Sequence, residues 1–190
     1  MCYPATQWLE RVVKPDAKVF EYGSGGSTIY FARTRRKVVS VEHEPSWYRL
    51  IQAELDRRGL QVDSYRLIEP TLRGSAEAGR VSDPHAYASA DARSEGYSYE
   101  TYARSIDQYP DGHFDLVVVD GRARPSCLLH AMPKVRVGGI LLLDQSERPY
   151  YLAEMSALMD QNRWTMVRFM APLPYSLHFT EASFFTKKQA

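Results

Sequence analysis

Apolar residues along the chain gather into short runs separated by stretches of helical spacing. β-Branched or apolar runs stand at "AKVFEY" (17 to 22), "KVVSVE" (37 to 42), "DSYRLI" (63 to 68), "FDLVVVD" (114 to 120) and "GGILLLD" (138 to 144). Between them the pattern predicts helices at Ser27 to Thr34, Ser46 to Arg58, Tyr99 to Gln108 and Pro125 to Lys134. Strands this apolar, alternating with helices, specify a parallel sheet covered on both faces. Ser46 is placed to cap its helix, and Pro125 suits a first turn. "TQWLERVV" near the N-terminus adds a helix beside the first strand. After Asp144 the alternation stops. A helix from Tyr151 to Gln161 leads to "WTMVRFM" (164 to 170), a proline-containing loop and "EASFFTKK" (181 to 188). Those last two runs are close enough in sequence to pair antiparallel. The expected fold is α/β: a doubly wound, mostly parallel seven-stranded sheet ending in an antiparallel C-terminal hairpin.

A chain of 190 residues with 44% hydrophobic content is expected to form one domain over residues 1–190. Its one long irregular stretch is an insertion at 69–96, rich in Ala, Ser, Gly and Asp. Such a stretch is either a functional lid or disordered, and both readings stand. Twenty-four basic against 23 acidic residues leave a formal charge of +1. That charge creates no field to gather nucleic acid or an anionic membrane surface. No apolar run reaches the length needed to cross a bilayer, and the N-terminus has neither a basic start nor a long apolar segment, so a soluble, cytoplasmic protein is expected. Cys2 and Cys127 form no CxxC pair and suggest neither a zinc site nor a disulfide. A homodimer is left open.

The candidate chemistry begins at "VFEYGSGGST". A strand, glycines and then a helix make a nucleotide-cofactor geometry: glycines let the backbone approach a ligand, and the helix start offers free N–H groups. Gly23, Gly25 and Gly26 supply the turn, yet the dinucleotide fingerprint needs a third glycine where Thr28 stands. A phosphate loop needs a lysine that the turn lacks. Glu42 ends the second strand 42 − 23 = 19 positions after the first glycine, close to the spacing at which an acid accepts ribose hydroxyls.

These residues resemble a known family. "VFEYGSGGST" is similar to motif I of the class I S-adenosylmethionine-dependent methyltransferases, where an acid precedes the first glycine by two residues. "VVSVEHEP", "FDLVVVDG" and "VGGILLLD" resemble the later motifs in order, and the terminal hairpin agrees with the family's sheet. The resemblance covers nearly the whole chain except 69–96. It implies S-adenosylmethionine as cofactor, with Glu21 near the methionyl ammonium, Gly23, Ser24, Gly25, Gly26 and Ser27 along the amino-acid part and ribose, Glu42 on the ribose hydroxyls and His43 near the adenine edge. Glu69 is an adenine-side candidate. Coulomb's law favours the assignment of Glu21, because its carboxylate would repel a pyrophosphate and attract an ammonium or sulfonium.

Asp120 and Asp144 end the fourth and fifth strands, where an open α/β sheet opens onto its crevice. Two carboxylates there can orient a hydroxyl, act as a general base or bind a divalent cation. The arrangement resembles the metal-dependent catechol-type O-methyltransferases, but Gln145 stands where those carry Asn. Magnesium is therefore left open and no metal is expected. Asp120, Asp144 and His85 are the catalytic candidates; His113 and His130 read as structural. Arg148, Tyr150, Tyr151 and Tyr175 either wall a pocket or pack as ordinary surface residues, and both readings stand. The expected activity is methyl transfer to a small-molecule acceptor, at oxygen. A nicotinamide-dependent oxidoreductase and a non-catalytic binding protein of the same fold are the competing readings.

Overall fold

The computed structural model describes residues 1–34, 36–73, 79–172 and 178–189. In chain order the elements are α1 (Tyr3–Val12), β1 (Lys18–Tyr22), α2 (Gly26–Arg33), β2 (Lys37–Glu42), α3 (Pro45–Arg57), β3 (Ser64–Leu67), β4 (Thr71–Leu72), β5 (Tyr97–Ser98), α4 (Glu100–Ala103), β6 (Phe114–Val119), α5 (Arg124–Lys134), β7 (Val135–Asp144), α6 (Ser156–Met159), β8 (Trp164–Pro172) and β9 (Phe179–Lys187).

Strand alternation decides where the core lies. Val19, Val38, Leu116, Val118 and Leu142 point to one face, where they meet Leu9 and Val13 of the N-terminal segment and Phe31 of α2. Phe20, Tyr22, Val39, Val41, Val117 and Leu141 point to the other, against Leu128 and Ala131 of α5. Both faces are covered, so the strands lack polar positions wherever they pass under a helix. Glu21 and Ser40 are two exceptions on the central strands, fully buried and paired opposite each other in register.

The large sheet has the order β3-β2-β1-β6-β7-β9-β8. β1 pairs in parallel with β2 and β6, and β9 runs antiparallel to both β7 and β8. The chain starts at the centre, builds outward through β2 and β3, then crosses back to β6 on the other side of β1. That reversal opens a crevice at the carboxyl ends of β1 and β6.

Two local expectations are corrected. Glu44, not Ser46, caps α3: its carboxylate accepts from Ser46 N at 3.1 Å and Trp47 N at 2.6 Å. A negative charge at a helix start is favoured by the dipole, which a hydroxyl cannot match. The helix expected over 151 to 161 is reduced to the short α6. Tyr151, Met155 and Leu158 are buried at helical spacing, but turns supply most of that burial. The N-terminal helix lies beside β1, as expected, with Leu9 near Val19, and it reaches on to β8 and β9, where Trp8 packs on Phe169 at 6.0 Å and on Phe184 at 4.6 Å.

The insertion is packed over its described part. β4 and β5 close a small antiparallel sheet at its ends, Tyr87 is buried, and its hydroxyl lies 3.2 Å from His130 Nε2. Residues 74–78 of the insertion, Arg35 and Tyr175 lie outside the described residues. Among the described residues no helix is long and apolar enough to cross a membrane.

Candidate functional site

The end of β1 is laced to β2 on one side and to β6 on the other. Gly23 N donates to Val41 O at 2.9 Å, and Asp120 N donates to Tyr22 O at 2.9 Å. This brings the turn after β1 against the turn after β6. Gly23 adopts φ +87°, and a Cβ there would lie 2.8 Å from Gly121 Cα. A Cβ on Gly121 would fall 2.0 Å from the Tyr102 hydroxyl. Neither position admits another residue, and the contact of two backbones forms the crevice floor. Gly25 and Gly26 differ: a Cβ on Gly26 would meet nothing, and one on Gly25 only Trp47 at 4.0 Å. Protein packing leaves room above these two glycines.

Beneath the turn, Glu21 is fully buried. Ser27 Oγ, Thr28 Oγ1 and Ser40 Oγ all donate to its carboxylate, the last at 2.8 Å. Thr28 Oγ1 also accepts from Gly25 N at 2.9 Å, which explains a threonine where the dinucleotide fingerprint has glycine: its hydroxyl ties the helix start to the acid. Burial pushes the Glu21 carboxyl up to about 7, while the hydroxyl donors pull the other way.

Glu42 stands at the end of β2, only 2% exposed. One oxygen accepts from Ser24 N and Ser24 Oγ, both at 2.9 Å. The other accepts from His43 N at 2.8 Å and Glu44 N at 3.0 Å. His43 Nδ1 lies 2.8 Å from that second oxygen, at ion-pair distance but without hydrogen-bond alignment. Burial works against the charge on Glu42, yet these donors hold its carboxyl below the usual range. Trp47 Nε1 donates to Ser24 O at 2.8 Å and spreads the indole beside the turn.

The turn separates two hollows that share Ser24, Trp47 and Asp120. One, of about 440 Å³, is lined by Gly23, Glu42, His43, Gly121, Arg122, Arg124 and Gln145. The other, of about 430 Å³, is lined by Gly25, Gly26, Ser27, Tyr30, Val118, Leu142 and Asp144, with Thr6 and Met1 at its edge. The fold therefore gathers most of the cofactor candidates around one turn: Gly23 to Ser27, Glu42 and His43 face the hollows, and Glu21 lies below. It also brings Asp120 and Asp144 together. Burial and the neighbouring Asp144 push the Asp120 carboxyl up to about 6, against the pull of Arg124.

Other candidates are not brought there. His85 is exposed in the insertion, where its N–H donates to Asp83 Oδ1, and it lines neither hollow. Glu69 is exposed and lines neither. Arg148, Tyr150 and Tyr151 also line neither hollow; Tyr151 is buried under the guanidinium of Arg124, at 5.1 Å.

Arg124 is a residue of the site that sequence reasoning missed. Its side chain is 7% exposed and donates to Gly121 O at 3.0 Å, Asp120 Oδ1 at 3.0 Å, Gln145 Oε1 at 3.0 Å, Asp120 O at 3.2 Å and Asp144 O. One guanidinium thus clamps the ends of β6 and β7. The oxygens of Asp120 and Gln145, which the catechol-type pattern would give to magnesium, already share this fixed cation. A second cation between them would be repelled, so the donor set does not fit magnesium. Arg122 is the other missed residue: it pairs with Asp91 at 2.7 Å and so fastens the insertion beside His43.

No family model matches the chain, and no curated protein does. Solved structures do. An O-methyltransferase from Bacillus cereus in complex with S-adenosylhomocysteine is 14% identical, with a TM-score of 0.68 over 99% of this chain and 82% of that one. A methyltransferase-like protein from Silicibacter pomeroyi is 25% identical, with a TM-score of 0.60 over 100% and 88%. An rRNA methylase from Streptococcus thermophilus is 14% identical, with a TM-score of 0.60 over 98% and 95%. With the strand order and terminal hairpin described above, these likenesses give the chain the class I S-adenosylmethionine-dependent methyltransferase fold.

Proposed function

We propose that the chain binds S-adenosylmethionine across the glycine turn and transfers its methyl group to an oxygen of a small-molecule acceptor. The room above Gly25 and Gly26, opening on one side to Glu42 and His43 and on the other to Asp120 and Asp144, carries this reading. Similar folds hold the cofactor or its product: the Bacillus cereus enzyme was solved with S-adenosylhomocysteine, and a Streptomyces achromogenes O-methyltransferase with S-adenosylmethionine. Gly23 to Ser27 would hold the amino-acid part, and Glu42 the ribose. Because both Glu42 oxygens already have donors, a ribose hydroxyl takes the place of Ser24 Oγ, which keeps Tyr65 Oη as a partner at 2.7 Å.

When bound, the cofactor supplies an electrophilic methyl on a sulfonium. The chain orients the acceptor, excludes water and takes up the proton that a hydroxyl must lose. Asp120 is the group for that proton, since a carboxyl near 6 is ionised at neutral pH and still basic enough to help. A near-balanced charge supports a small acceptor over a nucleic acid.

Calorimetry with S-adenosylhomocysteine and with NAD tests the reading. S-adenosylhomocysteine should bind and NAD should not, because Glu21, Asp120 and Asp144 beside the turn oppose a pyrophosphate. Binding of NAD alone would replace this proposal with an oxidoreductase, and binding of neither with a non-catalytic protein. Glu42→Ala should weaken S-adenosylhomocysteine by about 1–3 kcal/mol, the range for lost charged hydrogen bonds. An unchanged affinity removes Glu42 from the site.

A further inference from the structure

An acid of the insertion reaches the site. Asp91 turns its two carboxylate oxygens to different partners: Oδ1 accepts from Arg93 N at 2.9 Å, and Oδ2 pairs with the Arg122 guanidinium at 2.7 Å. Arg122 belongs to the turn after β6 and lines the same hollow as Glu42 and His43. Cys127 Sγ fixes its backbone by donating to its carbonyl at 3.3 Å. The Arg122 Nε–H points at His43 Nε2 across a long contact of 3.4 Å. A guanidinium can only donate, so Nε2 is the acceptor and the proton of the neutral imidazole sits on Nδ1. Nδ1 lies 2.8 Å from Glu42 Oε1, where a proton makes the contact attractive and a lone pair would make it repulsive. Asp91 is thus linked, through Arg122 and His43, to the acid at the end of β2.

A second contact bears on the same imidazole. Tyr99, just past the insertion, sets its ring edge-on to that of His43 at 5.7 Å. It is tied back into the insertion: its hydroxyl shares a hydrogen bond of 2.7 Å with Ser94 Oγ, and its N–H donates to Tyr87 O at 2.9 Å. Ser94, Tyr87 and Tyr99 are all buried. The insertion is also fastened elsewhere, where Ser82 Oγ donates to Glu154 at 2.7 Å and Arg80 pairs with that residue at 3.2 Å. None of those three lines either hollow. The side chains of Asp91 and Arg122 are 26% and 34% exposed, and a pair so open to water adds little to stability.

We propose that the insertion is part of the nucleoside end of the site: Asp91 and Arg122 are positioning residues that hold the His43 imidazole, and through it the Glu42 carboxylate, in the geometry that receives adenosine. This rests on the S-adenosylmethionine reading and gives the insertion a use within it. Without Asp91 the guanidinium swings free, and the imidazole loses the donor that fixes its tautomer against Glu42. The amino-acid end of the ligand, over Gly25 to Ser27, is untouched by this relay.

A double-mutant cycle tests the relay, read by calorimetry with S-adenosylhomocysteine and with 5′-methylthioadenosine, which lacks the amino-acid part. Asp91→Asn should weaken both ligands by the same factor, about fivefold, because they share the nucleoside end. In a His43→Ala background Asp91→Asn should change almost nothing, since the group it acts through is gone. Glu154→Ala, which loosens the insertion away from His43, should leave both affinities as they are. Four results overturn the inference and leave the cofactor reading standing: an unchanged affinity in Asp91→Asn, a loss confined to S-adenosylhomocysteine, losses that add in full with His43→Ala, or an equal loss in Glu154→Ala. Binding of neither ligand to the wild-type chain removes the cofactor reading and this inference with it. If Asp91→Asn does not fold, Arg122→Lys replaces it in the same cycle, because one ammonium cannot bridge Asp91 and His43 together, and the same results decide.

Discussion

Arg124→Met should lower the unfolding free energy by about 1–3 kcal/mol, the cost of leaving the carbonyls of Gly121 and Asp144 and the half-exposed Asp120 carboxylate without their buried donor. Methionine preserves much of the arginine's volume and its contact with Tyr151, so the loss reports on the guanidinium and not on a cavity. Without it, Asp120 Oδ1 and Gln145 Oε1 lose the donor that links them, and the carbonyls of Gly121 and Asp144 lose theirs. Arg124→Lys should recover only part of the stability, since one ammonium cannot reproduce a planar fork that reaches two strand ends at once. Because Arg124 pulls the Asp120 carboxyl down, its removal should also move the Asp120 titration further up from about 6. Denaturant unfolding at neutral pH checks the first effect and carboxyl NMR the second. A loss below about 1 kcal/mol would make Arg124 an ordinary surface pair.

Arg124 also shows where sequence reading stops. Its neighbours in sequence, "GRARPSCLL", describe a turn and a helix start, which they are. Nothing in that stretch says that β7 ends beside it, and only the sheet order brings Asp144 O and Gln145 into its reach. The central strands were legible for the opposite reason. "KVVSVE" and "FDLVVVD" are buried on both faces, so burial is written into consecutive residues and needs no knowledge of partners. The insertion carries no such signal: its two paired segments are two residues each, too short to make a period.

The candidate site divides along the same line. Gly23 and Glu42 could be found by spacing, because the turn and the strand end are local features. How Glu42 is used could not. Its oxygens are filled by Ser24, His43 and Glu44, an arrangement that depends on the turn folding back over the strand end. Trp47 could have been suspected as an aromatic in the first turn of the helix after Glu42, but its bond to Ser24 O belongs to the tertiary fold.

Glu21→Gln should make the protein more stable at neutral pH while impairing cofactor binding. Burial raises the carboxyl from 4.5 to about 7, so the folded chain holds the proton more tightly than the unfolded one. The linkage sign follows: relative stability is greatest below about 4.5, falls as pH climbs toward 7, and levels off above it. Glutamine keeps the shape without the charge and removes this fall. The variant should match the wild type near pH 4.5 and exceed it by about 3 kcal/mol at pH 7.5, read as the difference between two unfolding curves taken across that range. A constant difference across pH would mean that Glu21 is not the group being titrated. The cost borne by the wild type has a use in the proposed reading. Ser27 and Thr28 hold the carboxylate just under the turn, where its charge favours a ligand ammonium, and the ammonium in turn favours the ionised acid. S-adenosylhomocysteine should therefore bind the wild type more tightly as pH rises from 6 to 8, and Glu21→Gln should both weaken binding and flatten that dependence. Weaker binding without flattening would leave Glu21 a purely structural brace for the turn.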